Sequence, residues 1–124
     1  MNRCIALLTC PICNGALSDT GSALRCDRRH AFDRARAGYW DLLPTGHGRA
    51  AITGDVRDMV EARRRFLARG HFNAVGEAVC NAALASSPRV VLDAGCGEGW
   101  YLGRVMHAHA TPQDACFIGT DISR

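Results

Sequence analysis

The sequence predicts an α/β protein in which a small β domain precedes the first part of an open parallel-sheet domain. Three observations predict this arrangement. Residues 1–43 contain four cysteines and short apolar pieces, and nothing in them repeats with helical spacing. From Asp55 onwards, apolar residues recur at helical spacing. Two β-branched runs then flank a glycine-rich loop and a further helical segment, which is the order of a βαβ unit.

The bulk composition of the chain is that of a globular protein. It has 124 residues, 48% of them apolar, and a net charge of +3. No apolar run approaches the roughly 18 residues needed to cross a bilayer, and the N-terminus lacks the long apolar segment and cleavage site of a secretory signal. We therefore expect a cytoplasmic protein with no membrane partner.

Charge is unevenly distributed along the chain. Residues 25–69 hold 11 arginines against 6 acids, whereas residues 70–124 hold 3 arginines against 5 acids. A basic N-terminal half favours a polyanionic partner such as nucleic acid. A solvated basic surface has the same composition, so charge alone leaves both interpretations open.

The first predicted domain, residues 1–43, carries residue types that bind metals. Two residues separate Cys10 from Cys13, three separate Cys26 from His30, and 12 lie between the two pairs. Two such pairs converge on one tetrahedral ion when a hairpin joins them, and thiolate and imidazole ligands suit Zn²⁺. All four ligands come from the protein, so the spacing predicts a structural zinc site in a ribbon-like β domain. Unrelated core cysteines beside a surface histidine, or a redox C-x-x-C pair, are the alternatives.

Residues 44–54 are rich in proline, glycine and small side chains, which is typical of a linker. The second predicted domain covers residues 55–124 and begins with two helices. Asp55 is placed to cap the first helix and Gly70 to end it. The second covers residues 74–85 with Asn73 as its N-cap. The first helix carries three consecutive arginines that would either hold phosphates or face solvent: Arg63, Arg64 and Arg65.

Two buried strands, in "RVVLDAG" and "ACFIGTD", are joined by a helix in "GWYLGRVMHAHA". A helical crossover makes the two strands parallel. Parallel sheets are nearly always covered on both faces. The rest of the chain is too short to cover both faces of this sheet, so we expect the chain to be the N-terminal part of a longer protein.

The loop after the first of these strands has the glycine spacing G-x-G-x-G, formed by Gly95, Gly97 and Gly99. A dinucleotide fingerprint needs G-x-G-x-x-G, so that backbone amides and a helix N-terminus meet a pyrophosphate. The spacing therefore disfavours a dinucleotide. A glycine-rich turn without a ligand and a different nucleotide site are the alternatives.

Acidic residues in and around the loop indicate the charge of its ligand. Asp93 and Glu98 would repel a pyrophosphate but would attract a cationic ligand. S-adenosylmethionine carries a sulfonium, an ammonium and one carboxylate, and therefore a net positive charge. Asp121 follows the next strand, where a carboxylate can accept hydrogen bonds from both ribose hydroxyls. The acids thus favour S-adenosylmethionine.

Several motifs together resemble a known family. "LDAGCGEG" followed by "GTD" resembles motif I and the acidic post-strand position of class I S-adenosylmethionine-dependent methyltransferases. With "CPIC", the later Cys and His, and "ARRRFLARGHF", the sequence resembles the 23S (large-subunit) ribosomal RNA guanine-N1 methyltransferases of the housekeeping and macrolide-resistance type. The resemblance covers residues 10–124.

This resemblance implies a zinc-binding RNA-recognition domain followed by a Rossmann-like methyltransferase domain, of which the chain holds the first part. It also implies a role in rRNA processing on a large-subunit RNA hairpin, and suggests a homodimer. The family's zinc ligands correspond to Cys10, Cys13, Cys26 and His30. Its cofactor-binding residues correspond to Phe72, Asp93, Gly95, Gly97, Glu98 and the acidic Asp121. No residue of the chain is identified as a catalytic base.

Two other functions stay open at this point. The chain could be an RNA-binding zinc module with an incomplete, inactive methyltransferase domain, and we expect the 124-residue chain alone to lack activity. It could also belong to a small-molecule methyltransferase, although a free metabolite does not require a basic zinc module.

Overall fold

The computed structural model describes residues 3–44 and 54–123 of the chain. The chain divides into two compact units, Met1–Arg49 and Ala50–Arg124. Residues 45–53, which make up most of the predicted linker, lie outside the described ranges. The first unit has an antiparallel sheet and the second has helices with a parallel sheet, so the predicted α/β fold class is confirmed.

The first unit is a three-stranded antiparallel sheet whose strands follow chain order. Leu17 pairs with Cys26 across the first hairpin, and Leu24 pairs with Phe32 across the second. A short 3-10 helix at Ile5–Leu7 precedes the strands, which are β1 (Leu17–Asp19), β2 (Ala23–Cys26) and β3 (Ala31–Asp33).

The turn between β1 and β2 is closed by local hydrogen bonds. Gly21 takes a φ of +90°, and its N–H donates to the Asp19 carboxylate over 2.7 Å. The Thr20 hydroxyl donates to the backbone carbonyl at the start of β2 over 2.8 Å. Because strand side chains alternate between faces, this register directs both Leu24 and Cys26 into the interior.

The core of the first unit is small. Its fully buried side chains are those of Leu24 and Cys10. So few apolar side chains contribute little hydrophobic stabilisation, and small domains of this kind commonly depend on a metal or disulfide. The buried cluster consists of Ile5, Cys10, Leu17, Leu24, Cys26 and Phe32.

The second unit contains a βαβ unit preceded by two helices. Its two strands are parallel, with Val90 beside Cys116 and Ala94 beside Thr120 at the two ends of the register. None of the helices in the described ranges has the length and apolar character needed to span a bilayer. The elements are α1 (Arg57–Ala68), α2 (Asn73–Leu84), β4 (Val90–Ala94), α3 (Trp100–Ala108), a 3-10 turn (Pro112–Asp114) and β5 (Cys116–Thr120).

The ends of α1 test the predicted caps. Gly70 follows the helix with a φ of +80°, so the predicted glycine stop is confirmed. The predicted Asp55 cap is wrong, because Val56 occupies the N-cap and provides no side-chain hydrogen bond. Asp55 instead donates its N–H to the Ser123 hydroxyl over 2.9 Å. Its carboxylate, which is the group that a cap would use, accepts a hydrogen bond from Arg63.

Two glycines allow close packing around α3. A Cβ atom on Gly76 of α2 would lie 2.8 Å from the Trp100 ring and 2.7 Å from Arg104 Nε. A Cβ atom on Gly119 of β5 would lie 2.9 Å from the sulfur of Cys96. The helix and the preceding loop can therefore pack closely against α2 and β5. The glycine loop directly follows β4, so it lies at the carboxyl ends of the two parallel strands.

Candidate metal centre and ligand cleft

Four side chains of the first unit converge on one point. One ligand atom from each of Cys10, Cys13, Cys26 and His30 lies within 4.8 Å of the others. The His30 Nδ1 atom is 3.4 Å from the sulfurs of Cys10 and Cys26, and the Cys13 and Cys26 sulfurs are 3.7 Å apart. Tetrahedral Zn²⁺ with ordinary bond lengths separates two sulfurs by about 3.8 Å and a sulfur from a nitrogen by about 3.6 Å. The geometry and the donor types both fit that ion.

Two backbone turns bring the four ligands together. In the first turn, the Cys10 N–H donates to the Gly15 carbonyl and the Cys10 carbonyl accepts the Asn14 N–H, both over 2.8 Å. In the second, the Cys26 N–H donates to the His30 carbonyl over 3.1 Å. Asn14 and Arg29 take positive φ values of 57° and 66° at the two turns. The hairpin of β1 and β2 joins the turns, as the 12-residue spacing predicts.

The thiols at the centre differ in acidity. Burial raises the pKa of Cys10, but hydrogen bonds from the Ile12 and Cys13 amides and from neighbouring side chains outweigh it and lower the pKa to about 6. The pKa of Cys13 is raised, because burial and the adjacent sulfurs outweigh its hydrogen bond from the Gly15 amide. One thiolate is thus favoured by the fold, whereas a full thiolate set needs the charge of a bound cation.

A cleft of about 480 Å³ opens where the glycine loop meets the end of β5. Its walls come from the loop, the start of α3, residues 121–123, and the side of α1 together with Gly54 and Asp55. Of the residues that the sequence assigns to the cofactor, four line it: Gly95, Gly97, Glu98 and Asp121.

The other two assigned residues, Asp93 and Phe72, are outside the cleft lining. Asp93 belongs to β4 and is half-buried. Phe72 precedes α2, is 39% exposed, and packs its ring edge-on against Phe66 with 5.5 Å between centroids. The structure therefore brings four of the six assigned residues together, and the other two lie outside the cleft lining.

The glycine loop is held by the end of β5. Gly95, Gly97 and Gly99 take φ values of +80°, +53° and +77°, which side chains other than glycine rarely adopt. The Gly95 N–H donates to the Thr120 carbonyl over 2.7 Å. The Gly97 N–H donates to Asp121 Oδ2 over 2.7 Å. The loop conformation thus depends on both the glycines and the neighbouring strand.

Asp121 is held as a carboxylate by backbone amides. Its Oδ1 accepts the Ser123 N–H over 2.6 Å and its Oδ2 accepts the Gly97 N–H. These bonds lower the pKa of Asp121 below its ordinary value of 3.8. Each carboxylate oxygen can accept a second hydrogen bond, so Asp121 keeps the capacity to bind a hydroxyl group of a ligand.

The sequences of known proteins agree with the metal centre. Residues 8–50 match the zinc-ribbon family described as RlmA, N-terminal. The matching region, called the RlmA-type ribbon below, contains the cluster of Cys10, Cys13, Cys26 and His30, and both the zinc-ribbon match and the four ligand types support zinc.

Most of the chain is similar to proteins named as 23S rRNA guanine-N1 methyltransferases. A provisionally named guanine-N1-methyltransferase of Micromonospora griseorubida is 36% identical over 94% of the chain and 44% of its own length. The 23S rRNA (guanine(748)-N(1))-methyltransferase of Streptomyces fradiae is 38% identical over 82% of the chain and 37% of its own length. The provisionally named YxjB of Bacillus subtilis (strain 168) is 30% identical over 96% and 43%. The chain thus spans 37–44% of these relatives' lengths.

Among the cleft-lining residues that the sequence did not assign to the cofactor, Arg63 is the charged residue of α1. Its guanidinium donates to the Asp55 carboxylate and would lie 3.3 Å from a Cβ atom on Gly97. The hydrogen bond to Asp55, with the charges of Glu98 and Asp121, raises the pKa of Arg63. Arg63 lies four positions before the buried Leu67 on α1, so the two residues share a helical face. This periodicity was the feature of the sequence that could have predicted an inward-facing Arg63.

Proposed function

We propose that the protein is an S-adenosylmethionine-dependent methyltransferase that acts on guanine N1 of large-subunit ribosomal RNA. In this proposal the RlmA-type ribbon contributes to RNA recognition and the second unit supplies the first part of the cofactor site. The observation that carries the proposal is the acidic glycine-loop cleft of the second unit, in a chain that also carries the RlmA-type ribbon.

The charges of the cleft support a cationic ligand. Three carboxylates line it, those of Asp55, Glu98 and Asp121, against one guanidinium. The Glu98 Oε1 atom is buried and has no hydrogen-bond partner among the described residues. A buried acceptor without a donor costs free energy, and an ammonium or other donor on a ligand would satisfy it. The volume of the cleft is also within the range of sites for nucleoside-sized molecules.

Each residue proposed for the cofactor has a separate task. Asp121 would accept hydrogen bonds from the ribose hydroxyls, and Glu98 would accept one from a donor of the ligand. Gly95 and Gly97 let the backbone approach without a side chain between. Asp93 and Phe72 lie outside the lining, so we propose no direct contact of either residue with the ligand in this conformation. When bound, S-adenosylmethionine supplies the methyl group from its sulfonium.

The four ligands proposed for zinc are Cys10, Cys13, Cys26 and His30. With no position left for water, the ion would stabilise the ribbon and take no part in catalysis. Three thiolates give the zinc centre a net charge of −1, which nearby arginines offset. Five exposed arginines give the ribbon a surface suited to RNA phosphates: Arg25, Arg28, Arg29, Arg34 and Arg36.

The chemistry of guanine N1 sets the remaining requirements. N1 lies on the Watson–Crick edge, so the base must be unpaired or flipped out before its methylation. The N1 proton must leave as the methyl group is attacked in line, and most of the rate enhancement would come from positioning. We assign no catalytic base to the described residues. The proposal includes an RNA hairpin as substrate, a homodimer, and a cytoplasmic location.

A second candidate is an RNA-binding zinc module with an incomplete, inactive methyltransferase domain. The coverage of 37–44% of the relatives' lengths favours this behaviour for the chain by itself. A small-molecule methyltransferase is the less favoured third candidate, because a free metabolite gives no use to a basic zinc ribbon.

Calorimetric titration of S-adenosylmethionine into the purified chain tests the cofactor site. We expect saturable binding to one site per chain. Absence of heat at ligand concentrations of about 1 mM would mean a binding free energy weaker than about −4 kcal/mol, and the cofactor proposal would fail.

RNA binding is measured separately, by fluorescence anisotropy with a large-subunit rRNA hairpin. Binding of the hairpin without binding of S-adenosylmethionine would favour the second candidate. Binding of S-adenosylmethionine without binding of the hairpin would favour the third.

A further inference from the structure

The cleft contains a single cation among its described lining residues, and that cation is Arg63. It comes from α1, whereas the glycine loop and Asp121 come from the ends of the two strands. Helix α1 thus adds the opposite charge to a wall that is otherwise acidic. Nothing in the glycine-loop motif requires an arginine at this position, so its presence calls for a separate explanation.

The position of Arg63 is set by contacts on two sides. Its guanidinium donates to the Asp55 carboxylate, and its Nη1 atom would lie 3.3 Å from a Cβ atom on Gly97. The Asp55 backbone is in turn held by the Ser123 hydroxyl over 2.9 Å. The Arg63 side chain nevertheless remains 44% exposed. It is therefore oriented towards the loop and still accessible to a molecule in the cleft.

The proposed cofactor has one group that the acids of the cleft would repel. Its ammonium and sulfonium are attracted by carboxylates, but its own carboxylate would be destabilised beside Asp55, Glu98 and Asp121. A guanidinium binds a carboxylate through two parallel hydrogen bonds. We propose that Arg63 binds the carboxylate of the ligand's amino-acid moiety, an inference that rests on the proposed cofactor.

Binding would exchange one carboxylate partner of Arg63 for another. In the structure Arg63 donates to Asp55, and the guanidinium has five N–H donors, which is more than one carboxylate uses. The ligand's carboxylate can share the guanidinium or replace Asp55 as its partner. In both cases Arg63 makes the cleft selective for a nucleoside that carries an amino acid over one that carries only an amine.

Two ligands and three variants test this inference by calorimetry on the full chain. S-adenosylmethionine and decarboxylated S-adenosylmethionine differ in the carboxylate and share the sulfonium and the ammonium. We expect the native chain to bind the decarboxylated ligand about 10- to 100-fold more weakly, the range expected for charge-assisted hydrogen bonds. Arg63→Met should bind S-adenosylmethionine more weakly by a similar factor and bind the decarboxylated ligand with unchanged or improved affinity.

The matched control is Arg64→Met, which removes the adjacent, exposed arginine of the same helix. It should leave the affinities for both ligands unchanged. Arg63→Lys retains the charge without the two-pronged geometry, and should recover part of the preference for the carboxylate. Thermal unfolding of each variant verifies that the second unit remains folded.

The outcomes separate this inference from the proposed function. If the native chain binds neither ligand, the cofactor site fails and this inference fails with it. If the native chain binds both ligands equally, or if Arg63→Met weakens both equally, the cofactor site stands but the assignment of Arg63 is overturned. The assignment holds only if the loss is confined to the ligand that carries the carboxylate.

Discussion

The Gly97 amide donates to Asp121 across 2.7 Å, so a glycine of the loop after β4 is bonded to the acid that follows β5. This bond spans 24 residues of sequence. It connects the conformation of the loop to the charge of a residue proposed to bind the ligand. We therefore expect this pair to contribute to the stability of the second unit.

Replacement of Asp121 by asparagine should weaken this connection. The Asp121 carboxylate accepts hydrogen bonds from two backbone N–H groups. An amide has one oxygen, so its NH₂ group would face one of these two donors. We expect a loss of about 1 kcal/mol in the free energy of unfolding, since the site is exposed. Urea unfolding followed by circular dichroism measures it. Asp114→Asn, at an exposed acid outside the cleft lining, should have little effect.

Acidification should remove the difference between the native chain and Asp121→Asn. The pKa of Asp121 is lower in the folded protein than its ordinary value of 3.8, so its stabilising contribution is present above that value. The contribution is lost as the pH falls through the folded-state pKa. Unfolding free energies of the two proteins should therefore differ at about pH 6 and converge as the pH falls below 3.8 through the folded-state pKa. A difference that persists unchanged at low pH would contradict the role of the ionised carboxylate.

Removal of one proposed ligand should abolish zinc binding. Cys26→Ser replaces a buried sulfur that lies 3.7 Å from the Cys13 sulfur. We expect metal content to fall from about one zinc ion per chain to nearly none, because a three-ligand remnant in so small a unit binds weakly. Elemental analysis by plasma spectrometry measures it. Cys80→Ser, at a free cysteine of α2, is the control and should keep the zinc.

Zinc chelation should unfold the first unit and spare the second. The first unit has a small buried cluster, with Trp40 packed against it, whereas Trp100 belongs to α3 of the second unit. The two tryptophans of the chain therefore report on different units. On addition of a chelator, the Trp40 indole NMR signal should move to its unfolded position while the Trp100 signal stays. Retention of both signals in a zinc-free sample would show that the metal is dispensable.

Alanine substitutions at two helical glycines should change the free energy of unfolding in opposite directions. At Gly103 a Cβ atom would meet no other atom within 4 Å, so Gly103→Ala should stabilise the unit by about 0.5–1 kcal/mol. At Gly76 the new Cβ would crowd the Trp100 ring at 2.8 Å. Gly76→Ala should therefore be less stable than Gly103→Ala by about 1–3 kcal/mol, as measured by urea unfolding. Equal effects would mean that α2 and α3 are not closely packed.

The parts of the fold that the sequence predicts well depend on residues that are close together in the chain. The C-x-x-C turn, the Cys26–His30 turn and the glycine loop each depend on residues within a few positions, where turn geometry is set by the backbone itself. The strand–helix–strand order follows from the period of apolar residues. The observed strands, Val90–Ala94 and Cys116–Thr120, fall within the predicted runs because this period is also local.

Long-range contacts explain what the sequence did not predict. Asp55 has the residue type and position of a helix cap, yet it pairs with Arg63 and with the Ser123 hydroxyl 68 residues away. Phe72 has a ring that packs against Phe66 and does not line the cleft. Side-chain partners of this kind depend on which helix face meets the sheet, and periodicity identifies a face without identifying what it contacts.

The sequence by itself determined the elements, the spacing of the Cys–His set and the positive-φ glycines of the loop, because these follow from short-range geometry. Only the tertiary structure decided the composition of the cleft. It directed Arg63 of α1 towards Gly97, where the guanidinium faces the acids of the strand ends. The physical reason is that charge partners are selected by packing in three dimensions. The sequence places Arg63 on the same helical face as the buried Leu67, but it does not show which carboxylates that face would meet.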